Sequence, residues 1–141
     1  MAGKARRLMA RIEWAQLCEL AFLDNCGRLC MVGITNRFPV PSLPLTVTQI
    51  MIAARVVDVR PGEEFDVSLA VAMPSGLWTA PDDAEGYEVG IAGEYVLMTL
   101  RNLPLHQEGI YRFEVSLEAG VPVALEIPVF LVSKPQHAAI H

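Results

Sequence analysis

The sequence predicts an all-β fold, an antiparallel β-sandwich of about seven strands in two sheets. Three observations carry this. Apolar and polar residues alternate with a period of two along most of the chain, as they do in strands with one face in a core. Glycine and proline punctuate the pattern at intervals of about ten residues, the spacing of a sandwich or barrel. No apolar stripe of 3.6-residue period persists for three turns, so no long amphipathic helix is expected. The chain has 141 residues, 52% hydrophobic and 19% charged. That length fits one core rather than two, and the composition excludes intrinsic disorder. So high an apolar share implies that some elements are covered on both faces, or that part of the surface is buried against another chain. The domain is expected over residues 12–134, with a basic arm at 1–11 and a tail at 135–141.

The first hairpin is expected from about Ile12 to Arg37, turning at Asp24-Asn25-Cys26-Gly27. Gly27 supplies the positive φ that a three-residue loop with a bulge requires. Pairing Asp24 with Arg28 sets the register. One face then collects Trp14, Cys18, Leu20 and Phe22 against Cys30, Val32 and Ile34, and is expected in the core. The other holds Leu17, Glu19, Ala21 and Leu23 against Leu29, Met31, Gly33 and Thr35. Phe38 to Pro44, with three prolines, reads as a connection. A long strand, about Thr46 to Val59, follows and turns at Arg60-Pro61-Gly62-Glu63, a type II pattern. The returning strand, Phe65 to Met73, is expected beside it, with Val67, Leu69, Val71 and Met73 opposite Val56, Ala54, Ile52 and Ile50. Pro74-Ser75-Gly76 ends that strand. Another, about Tyr87 to Arg101, contains Gly90 and Gly93, which signal a bulge or bend.

The last hairpin alternates Tyr111, Phe113, Val115 and Leu117 with polar residues, and Val123, Leu125, Ile127, Val129 and Leu131 can oppose them. Its entry, Gly109-Ile110-Tyr111-Arg112-Phe113-Glu114-Val115, resembles the start of a late strand in immunoglobulin-like sandwiches. There a tyrosine hydroxyl ties a corner. An immunoglobulin-like sandwich is therefore the expected architecture.

The net charge of −5 speaks against a general nucleic-acid binder, which needs a cationic surface. Lys4, Arg6, Arg7 and Arg11 make the first eleven residues a basic arm, read as a solvated terminus. Arg11 and Glu13 interrupt any apolar run of a secretory signal, and no stretch meets the ~20-residue apolar requirement of a membrane helix. A cytoplasmic protein is expected, with Cys18, Cys26 and Cys30 reduced. Cys18 and Cys30 read as core thiols and Cys26 as an exposed turn residue.

Neither a phosphate-binding glycine loop nor a nucleophile elbow occurs. Catalytic, cofactor and metal residues are therefore assigned as none. His137 and His141 sit on a tail without a helix signal. Asp82, Asp83, Glu85 and Glu88 form an acidic loop without the spaced ligands of a calcium site.

The opening hairpin, Leu17-Cys18-Glu19-Leu20-Ala21 through Asp24-Asn25-Cys26-Gly27-Arg28 to Met31-Val32-Gly33-Ile34, resembles that of a family of small bacterial proteins of unknown function. Their pattern is Cys-Asp-Tyr-Ala, an acidic-Gly turn and an apolar strand ending in Gly-Ile. Glu19 and Leu20 stand where that family has Asp and Tyr. The Pro-rich connection, the strand around Ile50 to Arg55, the Met73-Pro74-Ser75-Gly76 turn and the closing Gly-x-Tyr-x-Phe hairpin follow in the same order. The resemblance implies a sandwich and no activity, cofactor or partner.

The expected function is a non-enzymatic protein-binding or assembly module. A two-sheet sandwich buries one face of each sheet, so the second apolar face of the first hairpin needs a cover. Leu17, Ala21, Leu23, Leu29 and Met31, with Trp78 on a long loop, are the candidate interface, and a homodimer is the expected partnership. The alternatives are a structural subunit of a phage or secretion assembly, and a small thiol or metal enzyme built from Cys26, His106 and the acidic loop.

Overall fold

Eleven strands and no helix make up residues 10–76, 78–79, 87–118 and 120–132, which a computed structural model describes; residues 78, 79 and 87 are described by their backbone alone. The all-β expectation holds, and no described helix could cross a membrane. The strands are β1 (Arg11–Cys18), β2 (Leu20–Leu23), β3 (Leu29–Val32), β4 (Phe38–Val40), β5 (Leu45–Val57), β6 (Val67–Ala72), β7 (Trp78–Thr79), β8 (Tyr87–Ala92), β9 (Tyr95–Leu105), β10 (Gly109–Leu117) and β11 (Val123–Leu131). They form a four-stranded sheet of order β1-β5-β9-β8, a five-stranded sheet of order β4-β11-β10-β6-β7, and the two-stranded ribbon β2-β3. The basic arm through residue 9, the acids Asp82, Asp83 and Glu85, and the tail with His137 and His141 lie outside the described residues.

The main core lies between the two larger sheets. Leu17, Ile52 and Met98 enter it from the first sheet, and Val71, Phe113 and Val129 from the second, all buried. One irregularity sets which side chains of β1 reach it. Ile12 pairs with Val56 but Trp14 with Arg55, so one extra residue bulges out. Ile12, Ala15 and Leu17 then all belong to the core cluster, although strict alternation would separate the first from the other two.

The closing hairpin forms in the expected register, with Tyr111 opposite Ile127, Phe113 opposite Leu125 and Val115 opposite Val123. At its entry the buried Tyr111 hydroxyl accepts from the His106 amide at 3.0 Å and the Gln107 amide at 3.4 Å, and donates to the Gln107 carbonyl at 3.2 Å. The hydroxyl thus fastens the connection between β9 and β10, which belong to different sheets.

Four expectations are corrected. The Arg60–Glu63 turn exists, with Gly62 at φ 76° and a Glu63 amide to Arg60 carbonyl bond of 2.9 Å, but it joins no hairpin. β5 pairs with β1 and β9, while β6 pairs with β10 and β7. Val56, Ala54, Ile52 and Ile50 therefore join Leu69 and Val71 in one core from opposite sheets. Local alternation cannot separate these two cases, since either arrangement buries the same residues. The expected strand from Tyr87 to Arg101 is two strands. Gly93, at φ 62°, starts a two-residue turn between Ala92 and Tyr95, because glycine at the first central position suits a type II′ hairpin. Part of the Pro-rich connection, β4, pairs in parallel with β11, where Pro39 is tolerated because the strand is an edge. The first hairpin, finally, does not begin at Ile12: β1 pairs with β5 up to Cys18, and only β2 and β3 form the ribbon.

Candidate interaction surface

The ribbon has the register that its turn dictates. Leu20 opposes Val32, Ala21 opposes Met31, Phe22 opposes Cys30, and Leu23 opposes Leu29. Asp24 organises the tip. Its Oδ1 accepts from the Cys26 and Arg28 amides, both at 2.8 Å, and its Oδ2 from Arg28 Nε at 2.7 Å. The Arg28 amide first, and then its guanidinium and the Cys26 amide, hold this carboxyl below the usual aspartate range. Gly27 at φ 79° closes the three-residue loop as expected.

The faces are the reverse of the expected ones. The ribbon lies on the outer face of the four-stranded sheet and makes a third layer there. Cys18, Ala21, Met51 and Ala53 are buried between ribbon and sheet, with Trp14, Leu29, Met31 and Leu97 packed around them. The Ala21 amide reaches Met51 Sδ at 3.3 Å. Of the candidate interface residues, Ala21, Leu29 and Met31 are thus covered within the chain, Leu17 is in the main core, and Leu23 is half-buried beside the tip. The side chain of Trp78 lies outside the described residues.

The physical cause is a break at Glu19. Its amide is shared between the Val32 and Gly33 carbonyls, at 3.0 and 3.1 Å. Gly33 sits at φ 68°, and a Cβ there would come within 2.7 Å of the Glu19 side chain. The strand changes sides at this point. Cys18 remains on the covered side while Leu20 and Phe22 turn outward. A glycine inside a strand pattern is the signal that marks such a break.

The face left open is therefore the one expected in the core. Leu20 is 43% exposed, Phe22 42%, Val32 51% and Ile34 57%. Along the ribbon this face reads Leu20 beside Val32, Phe22 beside Cys30, then Asp24 beside Arg28. Three large apolar side chains, Leu20, Phe22 and Val32, end on an internally neutralised ion pair, and Ile34 is exposed just beyond Gly33.

No chemistry comparable to this surface assembles nearby. An open groove of about 750 Å3 separates the ribbon tip from the β8–β9 turn, between Leu23, Arg28 and Leu29 on one side and Glu94 and Tyr95 on the other. Both of its charged groups are already paired, Arg28 with Asp24 and Glu94 with Arg55. The Arg55 hydrogen bond holds the Glu94 carboxyl below its ordinary range. Cys26 and His106 are not brought together. The groove puts the ribbon tip beside Tyr95 at one end of β9, and His106 follows the other end of that 11-residue strand, roughly 35 Å away at the usual strand rise. Among the described residues no three His, Cys, Asp or Glu side chains cluster as a metal site would require.

The thiols give a direct check on the third layer. Cys18 is buried, Cys30 half-buried and Cys26 exposed, which corrects Cys30 as a core thiol. Burial pushes the Cys18 thiol above its ordinary pKa, and the thiolate is the reactive form. In the native protein a maleimide should label Cys26 first, Cys30 more slowly and Cys18 only on unfolding. Equal rates for Cys18 and Cys26 would contradict the layer.

No curated protein matches the chain significantly. A family model does match, over residues 13–130, which takes in the ribbon, both larger sheets and the corner at Tyr111. By that match the chain belongs to DUF6941, a family of unknown function.

Proposed function

We propose that this chain is a non-enzymatic assembly module on an immunoglobulin-like sandwich, and that it binds a second copy of itself through the open face of the ribbon. The exposed set Leu20, Phe22, Val32 and Ile34 carries the reading. A contiguous apolar face of this kind marks an interaction site more often than a solvated surface. The immunoglobulin-like part is supported by the strand order. β1-β5-β9-β8 against β6-β10-β11 follows the A-B-E-D against C-F-G division, with β4 and β7 added at the edges. The bonded Tyr111 hydroxyl supports it too. A cytoplasmic setting is in keeping with three free cysteines.

A second copy is the favoured occupant because of charge. The chain carries −5 overall, so most surfaces of two copies repel. The ribbon face carries one Asp24 and one Arg28 that cancel. A two-fold pairing of such faces is self-complementary and can set each Arg28 against the other copy's Asp24. Multi-angle light scattering at micromolar concentration tests this with Phe22→Glu and Val32→Glu. Each variant should show about half the mass of the parent, with its melting temperature changed by only a few degrees. Unchanged mass in both variants, or a monomeric parent, would overturn the reading.

A further inference from the structure

We infer that the outer edge of β8 is a second association surface, at which β8 pairs antiparallel with β8 of another copy and joins two four-stranded sheets into one. This does not rest on the ribbon-face reading, since it uses a different element at the sandwich rim.

Unpaired sheet edges are normally blunted by shortness, proline, charge or a bulge. Three of the four edges of the two larger sheets are treated in this way. β4 is three residues long and contains Pro39. β7 has two residues. β1 carries the bulge at Glu13, whose carboxylate pairs with Arg55, and an Arg11–Asp58 ion pair at 2.7 Å. β8 has none of these devices. It is six residues, Tyr87-Glu88-Val89-Gly90-Ile91-Ala92, in unbroken register with β9 and with no further partner among the described residues. Its single charge, Glu88, is held by Arg101 at 3.2 Å. Val89 and Ile91, opposite the buried Met98 and Val96, share the core-facing side of the sheet yet are 38% and 52% exposed.

The hairpin fixes which backbone groups are free. In a two-residue loop the flanking pair, here Ala92 and Tyr95, exchanges both of its hydrogen bonds. Bonded pairs then alternate along an antiparallel ladder, so Ala92, Gly90 and Glu88 point their amides and carbonyls at β9. Tyr87, Val89 and Ile91 point theirs outward. Outward residues can bond only outward residues of the added strand, so a two-fold axis must pass through a residue and not between two. An axis at Gly90 sets Val89 against the partner subunit's Ile91, and Ile91 against the partner subunit's Val89. Both pairs are β-branched and each exchanges two backbone bonds. Glu88 then faces the partner subunit's Ala92, so no like charges meet.

Val89→Pro is a selective probe. It deletes an amide that bonds nothing within the chain, and proline is accepted on an edge strand when its nitrogen faces outward. Ile91→Lys adds a guarding charge and leaves the backbone intact. Both are placed in the Phe22→Glu background, which removes the ribbon face. Phe22→Glu alone should be a dimer by light scattering, and adding either edge substitution should make it a monomer with its melting temperature kept within a few degrees. In the dimer, the Val89 amide should exchange with solvent at least about tenfold more slowly than in the Ile91→Lys variant, and the Ile91 amide than in the Val89→Pro variant, while the Gly90 amide is protected in all of them. A monomeric Phe22→Glu protein, a mass unmoved by Val89→Pro, or fast Val89 exchange within a dimer would each overturn the β8 pairing. The first of these leaves the ribbon reading standing. A Phe22→Glu protein with the parent's mass that falls to half with Val89→Pro would keep the β8 pairing and overturn the ribbon reading.

Discussion

Ala21→Asp is expected to destabilise the fold by about 3–5 kcal/mol, the range for an uncompensated buried charge, whereas Leu20→Asp one residue away should cost less than about 1 kcal/mol. The contrast follows from the third layer. Ala21 is buried among Cys18, Met51 and Ala53, a setting made of apolar and sulfur-containing side chains. Leu20 points away from it and is exposed. A carboxylate under the ribbon meets one of two costs. It stays buried and holds its proton, or the ribbon lifts and uncovers Met51, Ala53 and the half-buried Leu29 and Met31. Burial of side chains of this size is worth roughly 1–3 kcal/mol each, so neither route is cheap. The pH dependence identifies the cause. A carboxyl buried in apolar surroundings has its pKa raised, so folding favours its protonated form. The loss in Ala21→Asp should therefore be full near neutral pH and shrink as pH falls through the raised value. Urea midpoints at pH 7 and pH 5 measure this. Equal losses for Ala21→Asp and Leu20→Asp would mean that the ribbon does not lie on the sheet by its Ala21 face.

What was legible in the sequence was what local chemistry decides. The Asp24–Gly27 loop fixes the ribbon register through the Asp24 carboxylate and the positive φ of Gly27. The closing hairpin is set by strict alternation and the corner at Tyr111. The high apolar share also told the truth about two-sided burial. Ile50 to Ala54 in β5 are all buried, because one face meets the core and the other meets the ribbon. Choices between distant partners were not legible. The Arg60–Glu63 turn looks the same whether the chain returns beside β5 or crosses to the other sheet. The face of the ribbon hung on one residue, Glu19, where the parity of the strand changes opposite Gly33. The apolar residues Leu20, Phe22 and Val32 do share one face, but it is the open one, while Cys18, expected beside them, stays on the covered side.

Tyr111→Phe should cost about 1–3 kcal/mol, as for two well-made hydrogen bonds lost at about 0.5–1.5 kcal/mol each, although the ring itself is kept. The hydroxyl takes three hydrogen bonds, two from the His106 and Gln107 amides and one to the Gln107 carbonyl. Phenylalanine fills the same buried volume, so no cavity accompanies the change. The loss comes from the hydrogen bonds themselves, which the phenylalanine ring cannot make to the His106 and Gln107 amides or the Gln107 carbonyl. These sit where the chain leaves β9 for β10, the step that carries it from one sheet to the other. The hydroxyl pair of Ser68 and Ser116, 2.9 Å apart on the exposed face of the second sheet, provides the control, because water can replace either partner. Ser116→Ala should stay within about 0.5 kcal/mol of the parent. The urea midpoint of Tyr111→Phe should fall with its slope unchanged, as for a fold that loses stability without losing buried surface. A Tyr111→Phe protein as stable as Ser116→Ala would show that the hydroxyl does not hold the corner, and that packing of the ring alone positions the two sheets there.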